Sequence, residues 1–320
     1  MENSENFENV RCPACGSAGP FRAFEAKERM LGTMDSFRYL ECIACHTLWL
    51  KNPPENMGRY YPSDYYSFGD QTSKAGNPAS LRNIAKRAVI QKRFGHSSIL
   101  GGLLQNKFSS YLEWLQPDYF DMNKSVLDLG CGSGFFLASM ANAGFRNLKG
   151  LDPFNKEAIR LKSGVFIDNK DVFSESGRFH GVMLHHSFEH MDQPLEVLSH
   201  IHKILEDDGF LLIRIPIAES SAWAEYGPLW VQLDAPRHYF IHSRKGLENL
   251  FSLAGFRLDK VVHDSYSLQY WGSELYKKDM PLSEGTKPFS QTQLSEWTKK
   301  AEENNRNGRG DQACFYLRKK

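Results

Sequence analysis

The stretch Val126-Leu-Asp-Leu-Gly-Cys-Gly-Ser-Gly-Phe-Phe-Leu137 decides how this 320-residue chain is read. Val126 to Leu129 is an apolar run with the length of a buried strand, and from Phe135 onward Phe136, Met140 and Ala143 recur at helical spacing. Gly130, Gly132 and Gly134 join the two, and beyond the turn at Ala143-Gly144 a second strand, Leu148 to Leu151, ends on Asp152. Strand, glycine loop, helix, strand and terminal acid make a nucleotide-binding βαβ unit. A dinucleotide site would carry G-x-G-x-x-G, but here the third glycine position is Phe135. Asp128, just before the loop, repels a pyrophosphate and suits a cationic ligand. The loop therefore points to S-adenosylmethionine, whose sulfonium and ammonium are both positive. In this reading the three glycines let the backbone approach the ligand. Asp152 takes both ribose hydroxyls in a forked pair, and Cys131 and His185 line the same pocket.

Four of the six cysteines lie upstream, as Cys12-Pro-Ala-Cys15 and Cys42-Ile-Ala-Cys45. Two C-x-x-C pairs place four sulfurs at two tight turns, which is the tetrahedral ligand set of a structural zinc. Phe21 to Phe24 and Phe37 to Glu41 alternate between them as short strands do. The expectation is a zinc ribbon over residues 1–52, its shell closed by sulfur.

A connector over 53–122 follows. It opens on a stiff Asn52-Pro-Pro-Glu55 and brings Tyr60, Tyr61, Tyr65 and Tyr66 close in sequence. Gln71 to Leu112 holds seven Lys or Arg and no acid. Leu81, Ile84, Ala85, Ala88 and Val89 form a helical stripe with Arg82, Lys86, Arg87 and Arg93 off it, and a second helix is expected over Lys107 to Gln116. A basic amphipathic helix suits a membrane surface, a nucleic acid or an anionic ligand. As a lid, with Tyr65 and Tyr66 against the substrate, it suits one that carries phosphate.

Overall charge narrows the classes. Lys and Arg number 39 against 38 Asp and Glu, so no global field draws the chain to nucleic acid. Six cysteines exclude a disulfide-dense secreted scaffold. The polar start, Met1 to Asn9, has no signal peptide pattern, and the longest apolar run, Phe210 to Ile217, is too short for a membrane span. A cytoplasmic protein is expected; oligomeric state is not readable.

Residues 124–262 resemble the Rossmann-like class I S-adenosylmethionine-dependent methyltransferases. The expected elements are a helix over Asn155 to Lys162, strands Val165 to Ile167 and Gly181 to Leu184, and a helix over Pro194 to Leu205. A turn at Glu206-Asp-Asp-Gly209 then leads into strand Phe210 to Ile215, followed by helix Leu247 to Ala254 and a last strand over Gly310 to Leu317. The turn is similar to the family's L-x-P-G-G-x-L-x-I with acids in place of the proline and first glycine. Where the family often carries Asp before strand four, this chain has His180. The resemblance implies an α/β fold with a Rossmann-like seven-stranded sheet over 123–320, and it makes Asp171, with Val172, the adenine contact. Ribbon, Asn52-Pro-Pro-Glu55, Tyr60-Tyr-Pro-Ser-Asp-Tyr-Tyr66 and this core together resemble bacterial zinc-containing sugar C-methyltransferases.

Strand four runs into His185-His-Ser-Phe-Glu189-His190, where ligands of open α/β sheets sit. Methyl transfer to a hydroxyl or an acidic carbon needs a base, and histidine serves near neutral pH. His186 and His190 have the i, i+4 spacing of H-E-x-x-H, but the glutamate is misplaced for that metal motif. A second constellation is Trp223, Tyr226, Trp230 and Asp234-Ala-Pro-Arg237-His238. His190, His238 and Glu189 are the expected acid/base group, with Trp230 as a substrate wall and Arg237 on an anionic substrate group. The function expected is methyl transfer to O or C of a small phosphorylated molecule, such as a nucleotide-linked sugar or glycan precursor. The alternative is an RNA methyltransferase, against which the near-zero charge counts. A cofactor-binding scaffold without activity is the third.

Overall fold

The computed structural model describes residues 7, 9–62 and 75–320, so the expected lid residues Tyr65 and Tyr66 lie outside the described residues. Contacts divide the chain into two compact units. One combines Met1–Pro62, Phe188–Leu198 and Arg214–Phe315; the other combines Ser63–Ser187, Ser199–Ile213 and Tyr316–Lys320. This grouping differs from a linear division at 52 and 122, for reasons that the ribbon supplies below.

The first unit opens with β1 (Phe21–Lys27), β2 (Ser36–Cys42) and β3 (Leu48–Leu50). Phe24 stands opposite Tyr39 and Leu40 opposite Trp49 in two antiparallel pairings. Glu28 closes the β1–β2 corner by accepting from the backbone N–H groups of Leu31 (2.8 Å) and Thr33 (3.0 Å).

In the second unit α1 (Leu81–Arg93) starts at Ser80, whose hydroxyl accepts from Asn83 N, and α2 (Ile99–Leu104) follows. Of the apolar stripe expected on α1, Ala85, Ala88 and Val89 are buried, together with Asn83 and Ile90, while Leu81 and Ile84 are 87% and 44% exposed. Two local contacts hold this face. Asn83 Nδ2 donates to the carbonyls of Ala75 (2.8 Å) and Asn77 (2.9 Å). Gly101 of α2 seats against Ala88, where a Cβ would lie 2.2 Å from the Ala88 carbonyl oxygen. The helix expected over Lys107 to Gln116 is absent. A single 3-10 turn, Asn106–Phe108, is followed by Leu112 at φ 48°, and Arg93 donates to the carbonyls of Leu112 (2.7 Å) and Ser109 (2.8 Å).

The glycine-loop unit is built from β4 (Ser125–Leu129), α3 (Phe135–Ala143) and β5 (Asn147–Leu151), then β6 (Ile159–Arg160), β7 (Phe166–Asp168) and β8 (Phe179–His185). β4 pairs parallel with β5 and β8, and β5 with β7. The helix expected over Asn155 to Lys162 is absent as well. Gly164, at φ 89°, turns the chain so that Leu161 N donates to Val165 O, and β6 pairs antiparallel with β7.

The remaining elements are α4 (Pro194–Ile204), β9 (Leu205–Pro216), α5 (Ser221–Tyr226), β10 (Phe240–Ile241) and α6 (Arg244–Leu253). After them come β11 (Phe256–His263), α7 (Leu268–Lys277), α8 (Gln291–Arg306) and β12 (Gln312–Lys319). β9 already begins at Leu205, so the expected turn at Glu206 to Gly209 is strand. Gly209 fits there because a Cβ would lie 2.7 Å from the His180 carbonyl oxygen. Among the described residues the main sheet is mixed and has eight strands in the order β11-β12-β9-β8-β4-β5-β7-β6, the eighth being β6 in place of the missing helix.

β10 explains the grouping of the first unit. It pairs antiparallel with β3, Phe240 opposite Trp49, and extends the ribbon sheet to β1-β2-β3-β10. α6 also seats on the cysteine turns: Asn249 Nδ2 donates to Ala14 O (2.6 Å) and Lys245 Nζ to Ala44 O (2.8 Å). A Cβ on Gly246 would stand 2.2 Å from Thr47 Oγ1 and 3.1 Å from Ala14 Cβ. Gly246→Ala is therefore expected to destabilise by about 1–3 kcal/mol through overpacking. The midpoint of chemical denaturation reads this, and an unchanged midpoint would mean that α6 does not seat on the ribbon.

Candidate functional site

In the glycine loop, Gly130, Gly132 and Gly134 all adopt positive φ, at 68°, 54° and 87°. A Cβ on Gly130 would stand 2.4 Å from Ser187 Cβ, and one on Gly134 would stand 2.4 Å from Ile167 Cδ1. Both positions therefore require glycine twice over, by conformation and by space. Asp152 is buried and braces the loop: Oδ2 accepts from Gly132 N (2.7 Å) and Oδ1 from Phe154 N (2.9 Å). A carboxylate oxygen has two lone pairs and can accept from a backbone N–H and a hydroxyl at once.

Asp128 tests whether a cationic ligand fits. Its carboxyl is buried, and Oδ1 has no hydrogen-bond partner among the described residues. Burial, with the charge of Asp152 adding, pushes it well above the usual carboxylate range. Two buried carboxyl groups beside a glycine cradle form a donor set that a positive ligand relieves, as S-adenosylmethionine would. Sequence reading missed two supports of this loop. Asn155 Nδ2 donates to Gly132 O (2.9 Å), and Ser187 Oγ donates to Leu129 O (2.7 Å). The signal for Asn155 was its place three residues after Asp152.

Other expected cofactor residues have local duties. Cys131 Sγ fills the space over Gly150, where a Cβ would lie 2.6 Å away, and burial pushes its thiol up. His185 is buried against Trp114 and Phe136, with ring centroids 4.2 and 4.6 Å away. Asp171 caps a 3-10 turn, Oδ1 accepting from Ser174 N at 3.0 Å.

The first unit brings the expected acid/base group together. A 3-10 turn, Phe188–His190, carries Glu189 and His190, and His238 Nε2 lies 4.0 Å from Glu189 Oε1. The His190 and His238 rings meet edge to face at 4.7 Å. His238 Nδ1 is 2.9 Å from Gln232 O; His190 Nδ1 is 2.8 Å from Arg237 O and 3.2 Å from the Tyr61 hydroxyl. Burial, with His190 adding to it, holds the His238 imidazole down at about 4, so it is neutral at neutral pH.

Two neighbours are not substrate contacts. The Arg237 guanidinium is fully buried and taken up by protein. Nη2 donates to Glu28 Oε1 (2.8 Å) and Asp234 Oδ1 (2.6 Å), Nε donates to Asp234 Oδ2 (3.0 Å), and Nη1 to Tyr60 O (3.3 Å). It joins the ribbon corner to the 234–240 loop, which corrects its assignment to an anionic substrate. Trp230 is 1% exposed, lies in the core with Tyr39 and Tyr270, and donates Nε1–H to Asp311 Oδ2 at 3.1 Å. It is a core residue and not a substrate wall.

The four ribbon cysteines converge. Cys12 and Cys45 sulfurs are 3.6 Å apart and those of Cys15 and Cys42 3.7 Å, with all four inside 4.8 Å of one another. Zinc–sulfur bonds of about 2.3 Å put tetrahedral sulfurs about 3.8 Å apart, so the cluster fits a metal ion. Gly16 (φ 73°) and His46 (φ 66°) follow the second cysteine of each pair, and each returns its N–H to the carbonyl of the first. The His46 side chain contacts Glu41 instead of the cluster.

Comparison with known proteins agrees with this geometry. Residues 104–261 match the family model of a methyltransferase domain. The fold and the glycine loop agree with a methyltransferase domain over these residues, just under half of the chain. A ubiquinone biosynthesis O-methyltransferase of Ralstonia nicotianae is 31% identical over 110 residues, 31% of this chain and 45% of that protein. A tRNA U34 carboxymethyltransferase of Cronobacter sakazakii is 25% identical over 227 residues, 64% of this chain and 70% of its own. The chain spans about a quarter to a half of the length of the curated relatives it matches first. A S-adenosylmethionine-dependent methyltransferase structure from Archaeoglobus fulgidus aligns with 72% of this chain and 98% of its own at 20% identity and a TM-score of 0.43. Among the described residues no helix is long and apolar enough to cross a membrane.

Proposed function

We propose that this chain transfers a methyl group from S-adenosylmethionine to a nucleophile deprotonated at the Glu189–His190–His238 group, with zinc on the four cysteines as a structural ion. The observation that carries the reading is the cradle of Asp128, three positive-φ glycines and Asp152 inside a methyltransferase domain. The donor needs no activation: its methyl carbon is bound to a sulfonium, and transfer returns a neutral thioether. The protein's part is to place the acceptor in line and to take its proton.

RNA is the acceptor class that we favour. The wholly basic stretch Gln71 to Leu112 offers phosphate contacts. The tRNA-directed relative aligns with 64% of the chain, twice the share of the O-methyltransferase. A second reading, a small phosphorylated molecule such as a nucleotide-linked sugar, is supported by the resemblance to sugar C-methyltransferases.

Asp152→Ala tests the cofactor reading. Losing charge-assisted hydrogen bonds to a ribose should weaken S-adenosylmethionine binding by about tenfold or more in calorimetry. Unchanged affinity would remove Asp152 from the site. Label transfer from methyl-labelled donor to bulk tRNA, and not to a panel of nucleotide-linked sugars, would support the RNA acceptor; the reverse result would overturn it.

A further inference from the structure

We propose that Glu189, His190 and His238 form a site for a divalent cation, separate from the cysteine cluster and independent of which acceptor the enzyme takes. One ligand atom from each residue lies within 4.8 Å of the other two. A cation about 2.0–2.2 Å from nitrogen and oxygen ligands sets them roughly 3.0–3.5 Å apart. The 4.0 Å between His238 Nε2 and Glu189 Oε1 therefore needs only a small contraction around an ion.

The hydrogen bonds around the rings favour this use. A backbone carbonyl can only accept, so the Gln232 carbonyl at 2.9 Å fixes the proton of His238 on Nδ1. The Arg237 carbonyl at 2.8 Å does the same for His190. Each ring is thereby oriented and keeps its lone pair on Nε2, as imidazoles that bind metal through Nε2 do when the other nitrogen donates to a carbonyl. Glu189 supplies a fully buried carboxyl group. The nearby guanidinium of Arg237 is directed to Glu28 and Asp234. Asp234 Oδ2 also lies 4.0 Å from His238 Nε2, but it accepts from Arg237 Nε at 3.0 Å and is committed there. Two imidazoles and one carboxylate suit zinc or another first-row divalent metal, and the set leaves coordination positions open for an oxygen ligand, which with both Nε2 atoms on the ion would be the group that takes the acceptor's proton. His190 is only half-buried, which leaves an approach from solvent.

The test is a cobalt titration of the metal-depleted full chain, followed by absorption spectroscopy and metal analysis. Two equivalents should bind, one with a thiolate-to-cobalt charge-transfer band from the cysteines and one without. The His190→Ala/His238→Ala variant should keep the thiolate band, which reports that its ribbon is intact, and lose the second equivalent. If that variant loses the band, Glu189→Gln, which preserves side-chain volume, should still weaken the second equivalent tenfold or more. Binding of one equivalent by the unaltered protein would overturn the proposal. So would a second equivalent that survives all of these substitutions, as it would if held at His180, Glu206 and Asp208, another candidate group.

Discussion

Arg237→Met should lower the free energy of unfolding by about 3–5 kcal/mol, the cost of removing one partner from a buried ion network. The guanidinium and the Glu28 carboxylate are both fully buried, and the Asp234 side chain is 13% exposed. Burial alone would raise the Asp234 carboxyl, yet the positive charge of Arg237 outweighs it and holds that carboxyl below its usual range. Methionine fills much of the same volume but strands two carboxylates away from water. The damage should reach both segments that the fork joins. On one side is the β1–β2 corner, where Glu28 also accepts from Leu31 and Thr33. On the other is the 234–240 loop, where Tyr39 donates to the His238 carbonyl at 2.8 Å. Arg237→Lys should recover only part of the loss, since an ammonium cannot supply the planar fork. Arg237→Met combined with Glu28→Gln and Asp234→Asn should be less unstable than Arg237→Met alone, because the stranded charges are gone. Urea denaturation reads all three variants. A loss below about 1 kcal/mol for Arg237→Met would show that the network does not hold the unit together.

The role of Arg237 also shows where sequence stops informing. Whether a guanidinium faces a ligand or a buried acid depends here on Glu28, 209 positions earlier. Trp230 depends in the same way on Asp311, 81 positions later. An aromatic and charged loop reads as a binding wall until those partners are known. The glycine loop and the cysteine turns were legible because their constraints are local. Positive φ at Gly130 and Gly134, and left-handed Gly16 after Cys15, are properties of the residues at those positions. The two absent helices were misread for a related reason. The resemblance implies a helix over Asn155 to Lys162, but Gly164 and the free edge of β7 turn the segment into a two-residue strand. On α1 periodicity located the helix and the buried Ala85, Ala88 and Val89 but not its first turn, where Asn83 is buried in place of Leu81 and Ile84 by hydrogen bonds to Ala75 and Asn77, which no hydropathy pattern encodes. β10 is two residues long, too short to signal itself, yet it joins the ribbon to the later chain.

Removing the zinc proposed for the four cysteines should cost the first unit its cooperative fold. Structural zinc in small cysteine-rich motifs contributes about 10–16 kcal/mol of apparent binding free energy at neutral pH, more than a domain's typical net stability. Without a cation, four buried or half-buried sulfurs must share protons. Cys12, hydrogen-bonded to Cys45, is driven up, and that same bond draws Cys45 down to about 4. A cation removes this frustration by binding thiolates. The consequences should extend well past the ribbon. β3 pairs with β10, α6 bonds to the carbonyls of Ala14 and Ala44, and Tyr39, Leu48 and Leu50 share one core with Trp230, Leu233 and Tyr270. Cys42→Ser, or exhaustive chelation, is therefore expected to abolish amide-exchange protection in β1 to β3, β10 and the first turns of α6. The strands β4, β5 and β8 belong to the other unit and pair among themselves, so they should keep their protection longer. A metal-free sample with full protection in β1 to β3 would show that the cysteines pack without needing an ion. Loss confined to the two cysteine turns would show that hydrogen bonds and the shared core, not the metal, hold β10 and α6 in place.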